Sequence, residues 1–141
     1  MGKGGGLLVA GALLITSACA SAQVPERIVY VSDRDGNREI YSSLLDGSDP
    51  RNLSENPARD QAPTVSADGR SIAFLSDRTG PLGVWVMARD GSDPRMVAET
   101  PDADFGLDWS PDGRLLAMTI QRPGQGTHDI GLLELETGEI T

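Results

Sequence analysis

The sequence is poor in the residues that most often build reactive centres. It has one histidine, His128, and one cysteine, Cys19, among 141 residues. That scarcity argues against a transition-metal site made by this chain and excludes an internal disulfide. No cofactor is expected. There is no G-x-S-x-G, no phosphate-binding loop, and no second histidine from which to assemble a Ser-His-Asp set. Aromatic residues are 4% of the total, so a core must rest on Ile, Leu, Val and Ala. Positive charge is also scarce, with 12 Lys and Arg against 21 Asp and Glu and a net charge of −9. Such a surface repels phosphate backbones and argues against a nucleic-acid partner. Apolar periodicity of the helical kind is missing, and Gly and Pro are dense, which excludes helical repeats.

The longest apolar run lies at residues 7–15, behind Lys3. It falls short of the roughly 20 residues that a spanning helix requires. Small residues follow it, in the pattern of an export signal covering residues 1–22, with a short tether at 23–27. Two processing readings stand side by side. Thr16-Ser17-Ala18-Cys19 resembles a lipobox, which makes Cys19 a lipidation candidate and the membrane a partner only through that anchor. Ala20-Ser21-Ala22 resembles an ordinary A-x-A cleavage site. Either reading places the mature protein outside the cytoplasm, in the periplasm or anchored on the outer membrane.

What is abundant is repetition. Asp46-Gly47-Ser48-Asp49-Pro50-Arg51 returns unchanged as Asp90-Gly91-Ser92-Asp93-Pro94-Arg95, a step of 44 residues. The same step links Asp33-Arg34 to Asp77-Arg78, and Asp68-Gly69 to Asp112-Gly113. Arg34, Arg78 and Arg122 form a series of three. A fixed period of this length marks a stack of supersecondary units.

The unit at 60–103 reads as four short strands. They are an extended stretch at 63–66, an apolar run at 71–76, a third strand at 84–87 and a shorter one at 95–98, separated by Gly, Asp and Pro turns. The run at 71–76 barely alternates, as expected of a strand covered on both faces. Four antiparallel strands in about 44 residues make one propeller blade. The fold expected is therefore all-β: propeller blades over 28–141, divided as 28–59, 60–103 and 104–141. The first copy lacks its innermost strand, and the last stops where a fourth strand would begin. Because propellers close with about 4–8 blades, the sequence reads as the N-terminal part of a longer propeller. A ring assembled from several chains is the alternative.

Trp109-Ser110-Pro111-Asp112-Gly113-Arg114-Leu115-Leu116-Ala117 resembles the W-S-P-D-G-x-x-[IL]-A signature of TolB-like β-propeller repeats. Ser32-Asp33-Arg34-Asp35-Gly36-Asn37-Arg38-Glu39-Ile40-Tyr41 resembles that family's S-x-R-x-G-x-x-[DE]-I-Y segment. The resemblance implies a non-catalytic exported scaffold that binds other proteins of the bacterial cell envelope. A competing reading is the N-terminal gating propeller of a prolyl-oligopeptidase-family serine peptidase, whose nucleophile would lie in another domain. The sequence identifies neither the presence nor the absence of a small-molecule ligand.

Strand parity sorts the loops. The recurring turns, including Asp68-Gly69, Asp112-Gly113 and both hexapeptides, share one end and close hairpins. At the other end the copies diverge, and variable loops on a rigid repeat scaffold make a natural binding surface. The candidates there are Arg38, Arg59, Asp102, Asp104 and His128. Asp33, Arg34, Asp77, Arg78 and Arg122 read as structural repeat residues, the arginines bridging adjacent blades or, alternatively, forming an anion ring. Trp85 and Trp109 read as packing between blades. Asp60 and Asp104 take matched positions in the crossings, which favours a structural role over acid–base work. Asp33-x-Asp35-Gly36-Asn37 reads as a hairpin loop, since an EF-hand needs ligands through position 12 and flanking helices.

Overall fold

A computed structural model describes residues 25–100, 106–121 and 127–141. Ten strands and no helices occur among them, arranged as three antiparallel sheets in chain order. The first sheet holds β1 (Arg27–Ser32), β2 (Glu39–Leu44) and β3 (Arg51–Asn52). The second holds β4 (Asp60–Val65), β5 (Ser71–Ser76), β6 (Gly83–Ala88) and β7 (Arg95–Glu99). The third holds β8 (Leu107–Trp109), β9 (Leu115–Gln121) and β10 (His128–Glu134). Each sheet is a meander whose strands pair with their sequence neighbours, the blade pattern that the 44-residue period implies.

The first sheet starts one strand late. β1 pairs residue for residue with β2, from Arg27 opposite Leu44 to Ser32 opposite Glu39. It therefore occupies the place that β5 takes in the second sheet, and no counterpart of β4 lies on its other edge among the described residues. In the third sheet the chain turns back after β10, and Ile140 forms a single antiparallel bridge with Leu133.

The sheets stack face to face, which explains the composition of β5 and β6. Side chains of a strand alternate between faces, and here both faces are covered. Ile72, Phe74, Trp85 and Met87 pack with Ile40 and Leu53 of the first sheet. Ala73, Leu75, Val84 and Val86 pack with Leu107, Leu116, Met118 and Leu133 of the third. A strand buried on both faces has no polar positions to alternate with. The first and third sheets have one outward face each, and apolar side chains there stay exposed, notably Ile28 at 44% and Ile130 at 78%.

β4 is the irregular member. Its register against β5 shifts between Gln61 and Thr64, with Ala62 at a φ of 52° and Pro63 beside it. A bulge accommodates a proline that has no N–H to donate, and β4 tolerates it because it lies at the edge of its sheet.

Candidate binding face

Backbone hydrogen bonds fix the two ends of the stack. At one end lie the tight turns, and the Arg89 N–H donates to the Arg70 carbonyl at 2.9 Å, tying the two hairpin turns of the second sheet together. At the other end lie the β1–β2 and β5–β6 loops and the crossing at 53–59. There the Asp60 N–H donates to the Arg38 carbonyl and the Thr100 N–H to the Leu82 carbonyl, each at 2.8 Å.

That Asp60–Arg38 bond brings two of the candidates together, since Arg59 precedes Asp60 where the crossing enters β4. Both arginines are exposed. Arg38 donates to Gln61 Oε1 at 3.1 Å. Arg59 is held by its backbone, whose N–H donates to Asp77 Oδ1 at 2.8 Å, while its side chain makes a loose 4.0 Å ion pair with the same carboxylate. An exposed pair at that distance contributes little to stability, which leaves the guanidinium available to a partner.

The crossing is clamped from beneath by two residues that the repeat pattern does not mark. Glu39 is buried, with 4% of its surface exposed. Its carboxylate accepts from Ser54 Oγ at 2.6 Å, from the Asn56 N–H at 3.2 Å and from Asn37 Nδ2 at 3.0 Å. Asn37 Nδ2 also donates to the carbonyls of Asn56 and Ala58, both at 2.8 Å. Gly83 and Pro81 stand one period later in these two places, so the comparison of copies passes over them.

Arg78 and Asp60 form the one buried ion pair among the described residues, at 2.9 Å with the arginine side chain 9% exposed and the aspartate fully buried. The guanidinium also lies over Trp85 and Phe74, 4.8 and 5.1 Å from the ring centroids. Burial raises the Asp60 carboxyl above the usual carboxylate range, against opposing hydrogen bonds from Ser76 and the charge of Arg78. The remaining oxygen, Oδ1, has no protein partner. Both residues belong to the second sheet. The expected bridge between blades is therefore corrected: Arg78 bonds inside its own blade, to Asp60, which the register of β4 places opposite Ser76. Arg34 also bonds locally, to Ser32 Oγ at 2.9 Å and Tyr30 Oη at 3.3 Å, and stacks on Tyr41 at 4.4 Å. Asp35 accepts from Tyr41 Oη and from Asn52 Nδ2, and its proximity raises the Tyr41 phenol. Asp33 and Asp77 offer their backbone carbonyls to Gly36 and Gly80 in matching turns. No group of three or more His, Cys, Asp or Glu among the described residues is placed to hold a metal.

Cys19, Asp102, Asp104 and Arg122 lie outside the described residues. His128 opens β10 in an exposed position.

At the hairpin end, Asp46 and Asp90 each accept from the N–H and hydroxyl of the serine two residues on. Asp68 and Asp112 do the same work with Ser66 and Arg70, and with Ser110 and Arg114. These bonds hold all four carboxyls below their ordinary range. Gly69 and Gly113 supply the positive φ of these turns, at 68° and 70°. The hexapeptide has a second role that repetition alone does not reveal. A Cβ on Gly91 would stand 2.4 Å from the Leu53 carbonyl oxygen of the preceding sheet, whereas one on Gly47 would meet nothing within 4 Å. Trp109 also crosses a seam, donating from Nε1 to the Thr64 carbonyl at 3.1 Å. A cleft of about 340 Å³ opens at that seam, lined in part by Arg95, Trp109, Arg114 and Glu134.

The sequence from residue 9 to 141 matches the model of the TolB beta propeller domain. No curated protein matches the chain. Among solved structures, one described as TolB from Agrobacterium tumefaciens is 25% identical with a TM-score of 0.70, covering 82% of this chain and 44% of that one. TolB from Acinetobacter baumannii is 19% identical with a TM-score of 0.61, covering 82% and 29%. A puromycin hydrolase is 26% identical with a TM-score of 0.57, covering 74% and 18%. The chain spans less than half the length of these structures.

Proposed function

This chain belongs to the TolB beta propeller domain family, and from that membership we propose that it is a non-catalytic exported scaffold binding proteins of the bacterial cell envelope. The observation that carries the proposal is the pairing of Arg38 and Arg59 on an exposed rim clamped from beneath by Glu39 and Asn37. A fixed crossing presenting exposed, weakly engaged cations is suited to a partner's acidic surface, because its backbone is already ordered when the partner arrives. Asp102, Asp104 and His128 are further candidate contacts in this proposal. Residues 1–22 direct export, and acylation of Cys19 supplies the anchor.

A second reading has specific support in the similarity to a hydrolase. In it the blades gate access to a peptidase domain elsewhere in a longer protein. Affinity capture from an envelope extract separates the two. The scaffold reading expects Arg38→Glu with Arg59→Glu to lose captured proteins while the melting temperature stays unchanged. Peptidase activity from the full-length gene product, with no captured envelope protein, would establish the second reading instead.

A further inference from the structure

The cleft at the seam of the second and third sheets lies between two sheets, away from both outward faces of the stack, and every residue lining it is described. Its volume of about 340 Å³ falls at the lower end of small-molecule sites, which begin near roughly 300 Å³. Each sheet contributes one arginine. Arg95 opens β7 opposite Val86, and Val86 packs toward the third sheet. Cross-strand partners share a face, so Arg95 is directed into the seam. Arg114 enters from the turn before β9, where the Leu135 N–H donates to its carbonyl at 3.1 Å. Val86, Leu135 and Trp109 add apolar surface to the cleft, and the bond to Thr64 fixes Trp109.

Neither arginine is ion-paired among the described residues. The first copy of the hexapeptide shows the alternative. There Arg51 pairs with Asp49 at 2.8 Å, and Arg27 joins the same carboxylate at 2.8 Å. In the second copy Ser71 stands in place of Arg27, and Arg95 makes no pair with Asp93. Two acidic residues border the cleft. Glu134 follows Leu133, which packs toward the second sheet, so its side chain starts on the opposite face, and its carboxylate accepts from Thr137 Oγ1 at 3.0 Å. Glu136 is exposed on the turn. Cations therefore outnumber anions inside the seam. A smaller cleft of about 190 Å³ adjoins it at Ser71, Trp109 and Gly113 and carries Asp68 and Asp112. Those carboxylates oppose the entry of a long polyanion, which limits the ligand to a small one.

We propose that this cleft binds a small aliphatic dicarboxylate, with one carboxylate taken by Arg95 and the other by Arg114. Charge-assisted hydrogen bonds supply the strength, and the apolar surface of Val86, Leu135 and Trp109 covers the carbon chain. A ligand held by both sheets favours the folded chain by mass action. Protein capture at the Arg38–Arg59 rim requires neither arginine, so the two proposals fail separately.

The probe is adipate, a flexible aliphatic dicarboxylate, titrated into the full chain and followed by the indole N–H resonance of Trp109. A saturable shift is expected, with a rise in melting temperature at saturation. Arg95→Ala and Arg114→Ala are each expected to weaken binding about tenfold or more, the effect of losing a charge-assisted hydrogen bond. Both arginines are exposed, so circular dichroism of the variants should match the parent. Arg51→Ala, at the matching place in the first hexapeptide, should leave binding unchanged. Absence of a saturable shift would overturn the proposal, as would adipate binding that survives both replacements. An equal response to adipamide, which lacks the charges, or equal affinity for inorganic phosphate, which lacks the carbon chain, would also overturn it.

Discussion

Replacing Arg78 with alanine strands the Asp60 carboxylate in a buried site. The arginine is 9% exposed and the aspartate not at all, and Asp60 Oδ1 already lacks a protein partner. Breaking a buried pair by removing one member costs about 3–5 kcal/mol, because the remaining charge stays out of water. Loss of the stacking on Trp85 and Phe74 adds on the order of 0.5–1 kcal/mol. Against a total stability of roughly 5–15 kcal/mol for a domain, the variant should melt many degrees lower. Arg34→Ala removes the same residue type from the equivalent place in the first sheet. With an exposed side chain and no ion pair among the described residues, it should cost no more than about 1 kcal/mol. The pH dependence has a definite sign. Burial raises the Asp60 carboxyl in the folded state, and without Arg78 it must rise further. A folded-state value above the unfolded one means that the folded chain binds more protons in that window. Stability is then gained as pH falls through the folded value toward the unfolded one near 4. Chemical denaturation of both variants at pH 7 and pH 5 measures this. The Arg78→Ala deficit should be large at pH 7 and smaller at pH 5. Equal deficits for the two variants, or an Arg78→Ala deficit independent of pH, would refute the reasoning.

Gly91→Ala should cost more than Gly47→Ala, although both residues occupy the same place in the hexapeptide. Both changes impose positive φ on an alanine, at about 1–2 kcal/mol, but only Gly91 abuts a carbonyl of the neighbouring sheet; equal melting temperatures would contradict the packing described. Glu39→Ala leaves Ser54 Oγ and the Asn56 N–H short of an acceptor and should cost about 1–3 kcal/mol. Faster hydrogen exchange at Asn56 should accompany that loss, and unchanged exchange would show that the crossing is not clamped by Glu39. The carboxyls of Asp46, Asp68, Asp90 and Asp112 lie below their ordinary range. The stability they contribute should be intact above their unfolded value near 4 and fade as pH falls through the lower folded values. NMR titration of these four carboxyls checks the direction.

The period of 44 made most of the fold legible. The strands expected at 71–76, 84–87 and 95–98 are found as Ser71–Ser76, Gly83–Ala88 and Arg95–Glu99, because turn residues fix both boundaries of each. The late start of the first sheet was legible too, since residues 23–27 carry no Trp-Ser-Pro-Asp-Gly pattern. The first strand of the second sheet begins at Asp60, three residues before the stretch expected from Pro63. A bulge at Ala62 lets pairing continue past the proline, and local sequence does not announce a bulge. Repetition also misdirected in two ways. It weighted residues that keep the 44-residue step, so Asn37 passed as a loop residue and Glu39 as the opening of a strand, although both fix the crossing. It also assigned one role to equal letters. Arg34 and Arg78 match in the sequence, yet their surroundings differ because, among the described residues, one sheet has an inner strand and the other does not. The period suggested only a bridge to an adjacent blade and not Asp60 as the partner of Arg78, since pairing across a sheet depends on register rather than on period.

The central claim is that binding resides at the divergent rim, and the direct measurement is a comparison of charge reversals at the two ends. Envelope proteins captured by the parent chain would be quantified for Arg38→Glu with Arg59→Glu, and for Asp49→Lys with Asp93→Lys at the hairpin end. The account predicts loss of capture for the first pair at an unchanged melting temperature, and retention for the second. Equal loss from both pairs, or loss confined to the hairpin end where Arg95, Trp109 and Arg114 line a cleft, would contradict it.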